Sequence, residues 1–249
     1  MKLSILTITR NDLDGLCRTL ESVRSQYLPD GVQVEHVVVD SSDTDIAERV
    51  RKSSGSSCVY VYTPPQGIYP ALNKALAVST GQVIGILNGG DVYADHDCLK
   101  RVADSLQRSR ADYLLSDVVF SNSIRYYSGN NFSVESMELG ISPPHPGFYA
   151  SRKVYKAIGN YNESYRIGAD FELFARLVQR SDFKGSHLPG SLVVMAPGGI
   201  SQTWYNRIFV ITREKHRALR EQGLRAGWLR MCGRFFHIIY KQFILRPRK

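Results

Sequence analysis

The chain of 249 residues lacks the cysteine patterns that mark zinc proteins and disulfide-stabilised secreted domains. Its four cysteines lie far apart and form no CxxC pair: Cys17, Cys58, Cys98 and Cys232. A structural zinc site would draw on ligands clustered in pairs, and disulfide frameworks are typical of shorter secreted domains. We therefore expect reduced thiols and a cytoplasmic protein.

Glycine-rich phosphate-binding motifs are also absent. The first apolar run is followed by Thr9-Arg10-Asn11-Asp12, and neither GxGxxG nor GxxxxGK[ST] occurs there. Those motifs place backbone N–H groups around a pyrophosphate in dinucleotide-binding and P-loop proteins. Neither class is indicated here.

Long apolar segments are missing at both ends of the chain. Residues 3–8 form an apolar run that is too short for the core of a signal peptide, and no small-residue cleavage site follows. We expect the chain to begin directly with a strand. The apolar segment near the C-terminus carries charge and is shorter than the about 20 residues that a membrane span needs.

The net charge of +9 is confined to one end of the chain. Eleven Lys or Arg residues and two Glu residues lie between positions 213 and 249, so residues 1–212 are neutral overall. A nucleic-acid-binding protein would carry its basic residues on a broad face. The distribution predicts no nucleic-acid partner and a local basic feature at the C-terminus.

Short apolar runs alternate with helical patterns up to residue 120. The apolar runs predict strands at residues 3–8, 34–39, 58–62, 83–87 and 113–120, with helices between them. This alternation predicts an α/β fold with a mainly parallel central sheet flanked by helices. In such sheets, ligands bind outside the carboxyl ends of the strands.

The pattern changes after residue 120, but no linker separates two cores. We predict strands at 124–127 and 192–195, a tight loop at 143–147, and helices at 154–158 and 169–179. One domain over residues 1–212, divided into halves 1–120 and 121–212, and a basic helical tail over 213–249 are therefore expected.

Two predicted strands end in polar loops that carry an acid, Asp40 and Asp91. An aspartate after a strand is often the N-cap of the next helix, and this explanation stays open for Asp40. It fits Asp91 less well, because Gly89 and Gly90 precede it and Asp95 is better placed as a cap.

Four segments, taken in order, resemble glycosyltransferase family 2: SILTITRN, VVVDSSDTD, GIYPALNKALAVSTGQVIGILNGGD and PHPGFYASRKVYKAIGNYNESYRIGADFELFARL. The third and fourth are the most specific and are similar to the bacterial exopolysaccharide branch, including the colanic-acid type. The resemblance implies a GT-A type fold, with a nucleotide-sugar-binding half over 1–120 and an acceptor half over 121–212. It also implies inverting transfer of a hexosyl or deoxyhexosyl group from a nucleoside-diphosphate-sugar.

The resemblance assigns roles to single residues. Asp91 matches the last acid of the family's Asp-x-Asp, which holds a divalent metal, Mn²⁺ or Mg²⁺, against the diphosphate. Asp170 falls where the family keeps its catalytic base; the alternative is an exposed acid at a helix start, favoured by the helix dipole. Donor-binding roles are implied for Thr7, Thr9, Asn11, Asp40, Gly67, Asn73, Lys74 and Asn88.

These assignments suit the chemistry of sugar transfer. The departing nucleoside diphosphate accumulates negative charge, which a hard cation stabilises. The acceptor hydroxyl is a poor nucleophile at neutral pH, so a carboxylate must take its proton as attack proceeds. One base and in-line attack imply inversion at the anomeric carbon.

The chain departs from the family pattern at Gly89, where the first acid of Asp-x-Asp would stand. Metal affinity is therefore expected to be weaker, with other ligands contributing. His145 is a candidate ligand or phosphate contact, and a histidine that only packs in its loop is an equal alternative.

The expected function is transfer of a sugar to a saccharide acceptor, lipid-linked, in surface polysaccharide biosynthesis. Two alternatives stay open. A sugar nucleotidyltransferase has a similar sheet, but it needs a glycine-rich basic loop after the first strand, which Thr9-Arg10-Asn11-Asp12 does not supply. A non-catalytic sugar-nucleotide-binding assembly protein is suggested by the missing acid at Gly89.

Residues 228–249 have the pattern of a basic amphipathic helix. Four basic residues recur at spacings of 4, 3 and 4 among apolar ones: Arg230, Arg234, His237 and Lys241. Such a helix lies in the headgroup region of an anionic membrane, which predicts peripheral association with the inner face of the cell membrane. The alternative is a helix docked on the body or on another subunit.

The membrane interpretation predicts that truncation after about Gln222 abolishes co-sedimentation with anionic liposomes, because it removes the basic apolar helix. Sedimentation of the full-length and truncated proteins with anionic and with neutral vesicles measures this. Unchanged sedimentation of the truncated protein would contradict the membrane interpretation.

Overall fold

The computed structural model describes residues 1–54, 58–121, 126–197 and 209–227. Its strands are β1 (Lys2–Thr9), β2 (Gln33–Asp40), β3 (Cys58–Tyr62), β4 (Val83–Ile86), β5 (Val92–Tyr93), β6 (Tyr113–Phe120), β7 (Tyr126–Tyr127), β8 (Phe148–Ser151) and β9 (Gly185–Met195). Its helices are α1 (Leu13–Arg24), α2 (Ala47–Ser54), α3 (Ile68–Val78), α4 (Cys98–Ser109), α5 (Val134–Glu138), α6 (Arg152–Ile158), α7 (Ala169–Leu177) and α8 (Ile211–Glu221).

The strands form one mixed sheet in the order β3-β2-β1-β4-β8-β6-β9-β5, with β7 on β6. The pairs β1–β2, β2–β3, β1–β4 and β6–β9 are parallel. β8 runs antiparallel between β4 and β6, where it pairs with Gly85 on one side and Leu115 on the other. The expectation of a mainly parallel sheet is therefore wrong for the second half. The four-residue strand β8 has no alternating pattern and leads directly into α6, so periodicity did not reveal it.

Successive residues of β1 face opposite layers of helices. Leu3 and Ile5 pack with the apolar face of α4, and Leu6 packs on the other side with α3 and α7. All three side chains are fully buried. Because side chains alternate along a strand, a strand buried on both faces is apolar throughout, which is why this run could be identified in the sequence.

Helix α8 belongs to the body of the domain. Ala218 and Leu219 are fully buried in the same core cluster as α7, and Leu224 and Ala226 pack against it. The boundary expected at residue 212 is therefore too early: the basic composition of α8 conceals its two buried apolar positions. The predicted amphipathic helix over 228–249 lies outside the described residues, and the truncation that removes it without disturbing the core is after Gly227.

No helix in the described ranges is both long and apolar enough to cross a membrane.

His36 is a buried histidine in the middle of β2. It is 5% exposed, and its Nε2 lies 2.8 Å from Oγ1 of Thr7 on β1. Burial lowers its pKa from 6.5 to about 4. In the unfolded chain the ring takes up a proton at its ordinary pKa, whereas in the folded protein it stays neutral until a lower pH. Acidification therefore favours unfolding between these two pH values.

We expect the free energy of unfolding to fall by up to about 3 kcal/mol between pH 6.5 and 4 through His36. His36→Gln, which keeps a polar partner for Thr7, should flatten the dependence of Tm on pH in this interval. The exposed His96→Gln is the control and should keep the wild-type dependence. An unchanged pH profile in His36→Gln would contradict the assignment.

Candidate active site

Several loops meet at one edge of the sheet because of how the strands pair. β2 and β4 are both parallel to β1, so Thr9, Asp40 and the loop after β4 lie at the same edge. β8 is antiparallel to β4, so the 3-10 turn His145–Gly147 that precedes it lies beside that loop. This edge therefore collects most of the residues to which the sequence assigned chemistry.

Asp91 is a buried carboxylate in the loop between β4 and β5. It is 5% exposed, and its Oδ1 accepts the backbone N–H of Ala196 at 2.9 Å. Burial raises its pKa to about 6, while hydrogen bonds from Ala196 and from the side chain of Asn88 act in the opposite direction. Within the described residues it has no ion pair. A cation beside Asp91 would offset the free energy of burying its charge.

Thr19 on α1 holds the loop that carries Asp91. Its fully buried hydroxyl donates to the carbonyl of Asp91 at 2.8 Å and accepts the N–H of Gly90 at 2.9 Å. Gly90 has a φ of +95°, a conformation that side-chain-bearing residues rarely adopt. The sequence pattern did not point to Thr19; its signal is a lone threonine on the otherwise apolar face of α1.

Gly89 packs directly against the end of β1. A Cβ atom at this position would lie 3.0 Å from Oγ1 of Thr9 and 3.2 Å from the carbonyl oxygen of Ile8. The Thr9 hydroxyl is buried and has no hydrogen-bond partner among the described residues. The site therefore has an unsatisfied polar oxygen where the family pattern would place an acid, and little room for that acid.

Asp170 is the second residue of α7 and is half-buried. Its Oδ1 accepts the N–H of Phe171 at 2.7 Å. Burial raises the pKa of Tyr69 and Tyr161, and the negative charge of Asp170 adds to the shift of each. Tyr69 lies in the first turn of α3 and its hydroxyl donates to the carbonyl of Ile167. Helix α3 follows the carboxyl end of β3, so Tyr69 in its first turn lies at that edge of the sheet. Asp170, which is close to Tyr69, therefore lies at the same edge as Asp91.

His145 belongs to the surroundings of Asp170. Its Nε2 lies 2.8 Å from the hydroxyl of Tyr161, and its ring packs edge-on against Tyr161 and Phe174. Burial lowers its pKa, and the charge of Asp170 acts in the opposite direction. These contacts favour the alternative that His145 packs in its loop, because its Nε2 is paired with the hydroxyl of Tyr161; a role as a metal ligand beside Asp91 stays a prediction. Packing in its loop is the explanation that the structure supports.

Two of the expected donor contacts face the interior instead. Thr7 is fully buried, and its hydroxyl donates to the carbonyl of Leu87 at 2.6 Å and lies against His36. Asp40 is also fully buried; its carboxylate accepts the hydroxyl of Tyr60 at 2.8 Å and the N–H and hydroxyl of Ser42. Both side chains are buried under the edge and bind other protein groups, which corrects their assignment as nucleotide contacts.

Asn73 is likewise a structural residue. Its Oδ1 accepts the N–H of Tyr161 and its Nδ2 donates to the carbonyl of Tyr161, both at 2.9 Å, and Nδ2 also reaches Glu163. Both ends of the amide are therefore occupied, so Asn73 holds the loop before α7 and is not free to bind a donor. Lys74 is exposed on the same helix, and Gly67, with a φ of +124°, begins it.

Asn11 joins the loops that follow β1 and β2. Its Nδ2 donates to Asp43 at 2.7 Å, its Oδ1 accepts the N–H of Asp43 at 2.9 Å, and its own N–H donates to Ser42. The structure thus brings Thr9, Asn11, Asn88 and Asp91 to one edge, with Asp170 on the side of α3.

The donor set for a metal is small. Within the described residues no three His, Cys, Asp or Glu side chains are grouped to hold an ion. Asp91 nevertheless fits a hard cation, because it is an oxygen donor whose buried charge lacks a cationic partner in the described part of the chain. Mg²⁺-type ions are often held by one or two carboxylates, with substrate phosphates and water completing the shell. The residues fit a cation that takes most of its ligands from the substrate.

The model of the family described as "Glycosyl transferase family 2" matches residues 4–168, which include Thr9, Asn88 and Asp91. The chain belongs to glycosyl transferase family 2. Asp170 lies two residues beyond the matched segment.

Relatives of this family 2 chain occur in mycobacteria. It is 29% identical over 183 residues to an "uncharacterized glycosyltransferase" of Mycobacterium tuberculosis, covering 70% of this chain and 67% of the relative. It is 26% identical over 216 residues to a "PGL/p-HBAD biosynthesis glycosyltransferase" of the same organism, covering 83% of this chain and 82% of the relative.

Solved structures share the fold at low sequence identity. S. aureus TarS 1-349 in complex with UDP-GlcNAc matches 98% of this chain and 73% of its own, with a TM-score of 0.70 at 16% identity. The mannosyltransferase PcManGT of Pyrobaculum calidifontis, in complex with GDP-Man and Mn²⁺, matches 97% and 70%, with a TM-score of 0.65 at 17% identity. The chain spans 44% of the longer TarS structure. These matches establish a GT-A-like α/β fold.

Restoring the family's acid with Gly89→Asp is expected to destabilise this family 2 protein by about 1–3 kcal/mol, because the new Cβ would press on Thr9 and the Ile8 carbonyl. Thermal unfolding measures the loss, and Mn²⁺ titration should show no gain in affinity. Gly89→Ala isolates the Cβ from the charge and should reproduce most of the loss. Wild-type stability with tighter Mn²⁺ binding in Gly89→Asp would contradict the steric argument.

Proposed function

We propose that this protein is an inverting glycosyltransferase that moves a sugar from a nucleoside-diphosphate-sugar to a saccharide acceptor. The observation that carries the proposal is the placement of two carboxylates, Asp91 and Asp170, at one edge of a family 2 fold. One is buried without a cationic partner in the described chain, and the other is half-buried among tyrosines. Their separate surroundings suit separate tasks.

The donor side of the site is the edge formed by β1, β2 and β4. Thr9 offers a buried hydroxyl without a partner in the described chain, and the half-buried Asn88 lies in the neighbouring loop after β4. Asn11, whose amide is bound to Asp43, holds the loops after β1 and β2 together at this edge. A ligand hydroxyl or phosphate oxygen would satisfy the Thr9 hydroxyl, which is otherwise costly to bury. Structural neighbours in complex with UDP-GlcNAc and with GDP-Man support a nucleotide-sugar donor.

Asp91 is the residue that would hold a divalent cation. When bound, Mn²⁺ or Mg²⁺ supplies positive charge against the diphosphate leaving group. Asp91 presents its carboxylate from a loop held by Thr19 and Ala196, so its position is set before any substrate arrives. Its pKa of about 6 leaves it mostly ionised at neutral pH, as a metal ligand must be.

Asp170 is the proposed base. It sits at the start of α7 with Oδ1 turned to the Phe171 N–H, and no hydrogen bond to Oδ2 occurs within the described residues. That oxygen is the one to accept the proton of the acceptor hydroxyl as the hydroxyl attacks the anomeric carbon. A single displacement from the side opposite the diphosphate inverts the configuration at that carbon.

We further propose that the acceptor is a lipid-linked saccharide in surface polysaccharide biosynthesis, and that the protein works at the inner face of the cell membrane. The resemblance of the GIY and GGD segments to the exopolysaccharide branch supports the first part. The basic apolar pattern of residues 228–249 supports the second.

The decisive experiment measures nucleoside diphosphate release by the purified full chain with a panel of nucleotide sugars, with Mn²⁺ or with a chelator. Asp170→Asn should lower turnover by about 100-fold or more, because base catalysis is lost, while donor affinity stays close to wild type. Asp91→Asn should remove the effect of Mn²⁺ on donor binding. Glu48→Gln, at the second position of α2 and exposed, is the matched control and should keep full activity.

Equal turnover in Asp170→Asn would remove Asp170 from the mechanism. Donor binding without turnover and without a metal effect would indicate the non-catalytic binding protein. Pyrophosphate release from a nucleoside triphosphate would indicate a nucleotidyltransferase.

A further inference from the structure

Glu214 of α8 binds the backbone of the segment that leads into α7. Its Oε1 accepts the N–H of Arg166 at 2.6 Å, and its Oε2 accepts the N–H groups of Ile167 and Gly168 at 3.0 and 2.7 Å. Three consecutive amides thus converge on one carboxylate. Hydrogen bonds to a charged acceptor are stronger than those between neutral groups.

At this contact, α8 packs closely against the residue that precedes α7. A Cβ atom at Gly168 would lie 3.0 Å from Cβ of Glu214, so a larger residue there would push Glu214 away by a few tenths of an ångström. On the other side, Lys215 places its ammonium 4.6 Å from the centre of the Phe171 ring and donates to the carbonyl of Gly140 at 2.7 Å. The first turn of α7 is therefore held by two consecutive residues of α8.

Tyr69 holds the same turn from α3. Its hydroxyl donates to the carbonyl of Ile167, the residue whose N–H is bound by Glu214. Burial raises the pKa of Tyr69, with contributions from the charges of Asp170 and Glu214, so all three side chains lie close together. Both the N–H and the carbonyl of Ile167 are thereby hydrogen-bonded, which restricts the backbone conformation of the segment before Asp170.

Asp170 and Glu214 accept N–H groups from different parts of this segment. Free N–H groups at a helix start attract carboxylates, and an acid at the second position can fold back to cap its own helix. Glu214 takes the N–H groups of residues 166–168, which lead into α7, and Asp170 accepts that of Phe171 in its first turn. Within the described residues no hydrogen bond reaches the second oxygen of Asp170.

We propose that Glu214 is a positioning residue, which fixes the start of α7 so that Asp170 faces the acceptor hydroxyl. The inference rests on the proposed role of Asp170 as base. Glu214 touches no reacting atom; it acts through the backbone of residues 166–168. Its role makes α8, which the charge pattern assigned to a tail, a necessary part of the catalytic domain.

The test compares Glu214→Gln with wild type in steady-state transfer by the full chain. Glutamine keeps the shape but replaces one acceptor oxygen with an N–H donor that opposes a backbone donor. We expect kcat to fall about 10- to 100-fold, as for other small displacements of a catalytic group, with unchanged affinity for the donor measured separately by calorimetry. In the Asp170→Asn background the same change should have no further effect on the residual rate, because it acts through Asp170.

Glu221→Gln is the matched control: it removes the same charge from the same helix, where Glu221 binds Tyr165 and Arg217 and not the segment 166–168. It should keep wild-type kcat.

An unchanged kcat in Glu214→Gln, or an equal further loss in the Asp170→Asn background, would overturn the inference. If Asp170→Asn itself keeps wild-type turnover, the proposed base is wrong, which is a separate result from the Glu214 comparison. Tm of each variant shows whether a loss of rate reflects unfolding, and rates are then compared at a temperature where all variants are folded.

Discussion

The parallel pairing of β1 with both β2 and β4 is the constraint on which the rest of the site depends. It brings the ends of three strands to one edge, and the antiparallel β8 adds the turn that contains His145. Residues far apart in the chain, such as Thr9 and Gly89 or Asp91 and Ala196, therefore become neighbours. In the interior next to this edge, buried polar residues bind each other in pairs: Thr7 with His36, and Asp40 with Tyr60.

The two carboxylates of the site are maintained by opposite means. Asp91 is buried, and two hydrogen bonds only partly offset the free energy of burying its charge, so its pKa is raised. Asp170 is held indirectly, because the segment before it is bound by Glu214 and Tyr69. In both cases an element distant in sequence supplies the support that gives the carboxylate a defined position.

Close packing around Gly89 accounts for the absence of an acid at this position. The end of β1 lies so close that a side chain there would displace Thr9 or the backbone of Ile8. In place of a second carboxylate, the site has close packing and a buried Thr9 hydroxyl that lacks a hydrogen-bond partner among the described residues. A cation at Asp91 would depend more on the diphosphate for its ligands than one held by two acids, since each carboxylate contributes both oxygen ligands and charge.

By itself, the sequence determined the helices of the first 120 residues, their strands except the two-residue β5, the edge at which Asp91 lies, and the family, because apolar periodicity and motif spacing are local properties. It could not determine where β8 inserts, since a four-residue strand has no measurable period. Nor could it determine that α8 packs in the core, since two apolar residues of that helix, Ala218 and Leu219, make the contact. Tertiary structure also decided which polar side chains are available at this edge of the sheet. Thr7 and Asn73 carry suitable groups, but these groups are hydrogen-bonded to residues remote in sequence. A hydrogen-bonding group is available to a ligand only if the fold leaves it unpaired, and pairing is a property of the assembled chain.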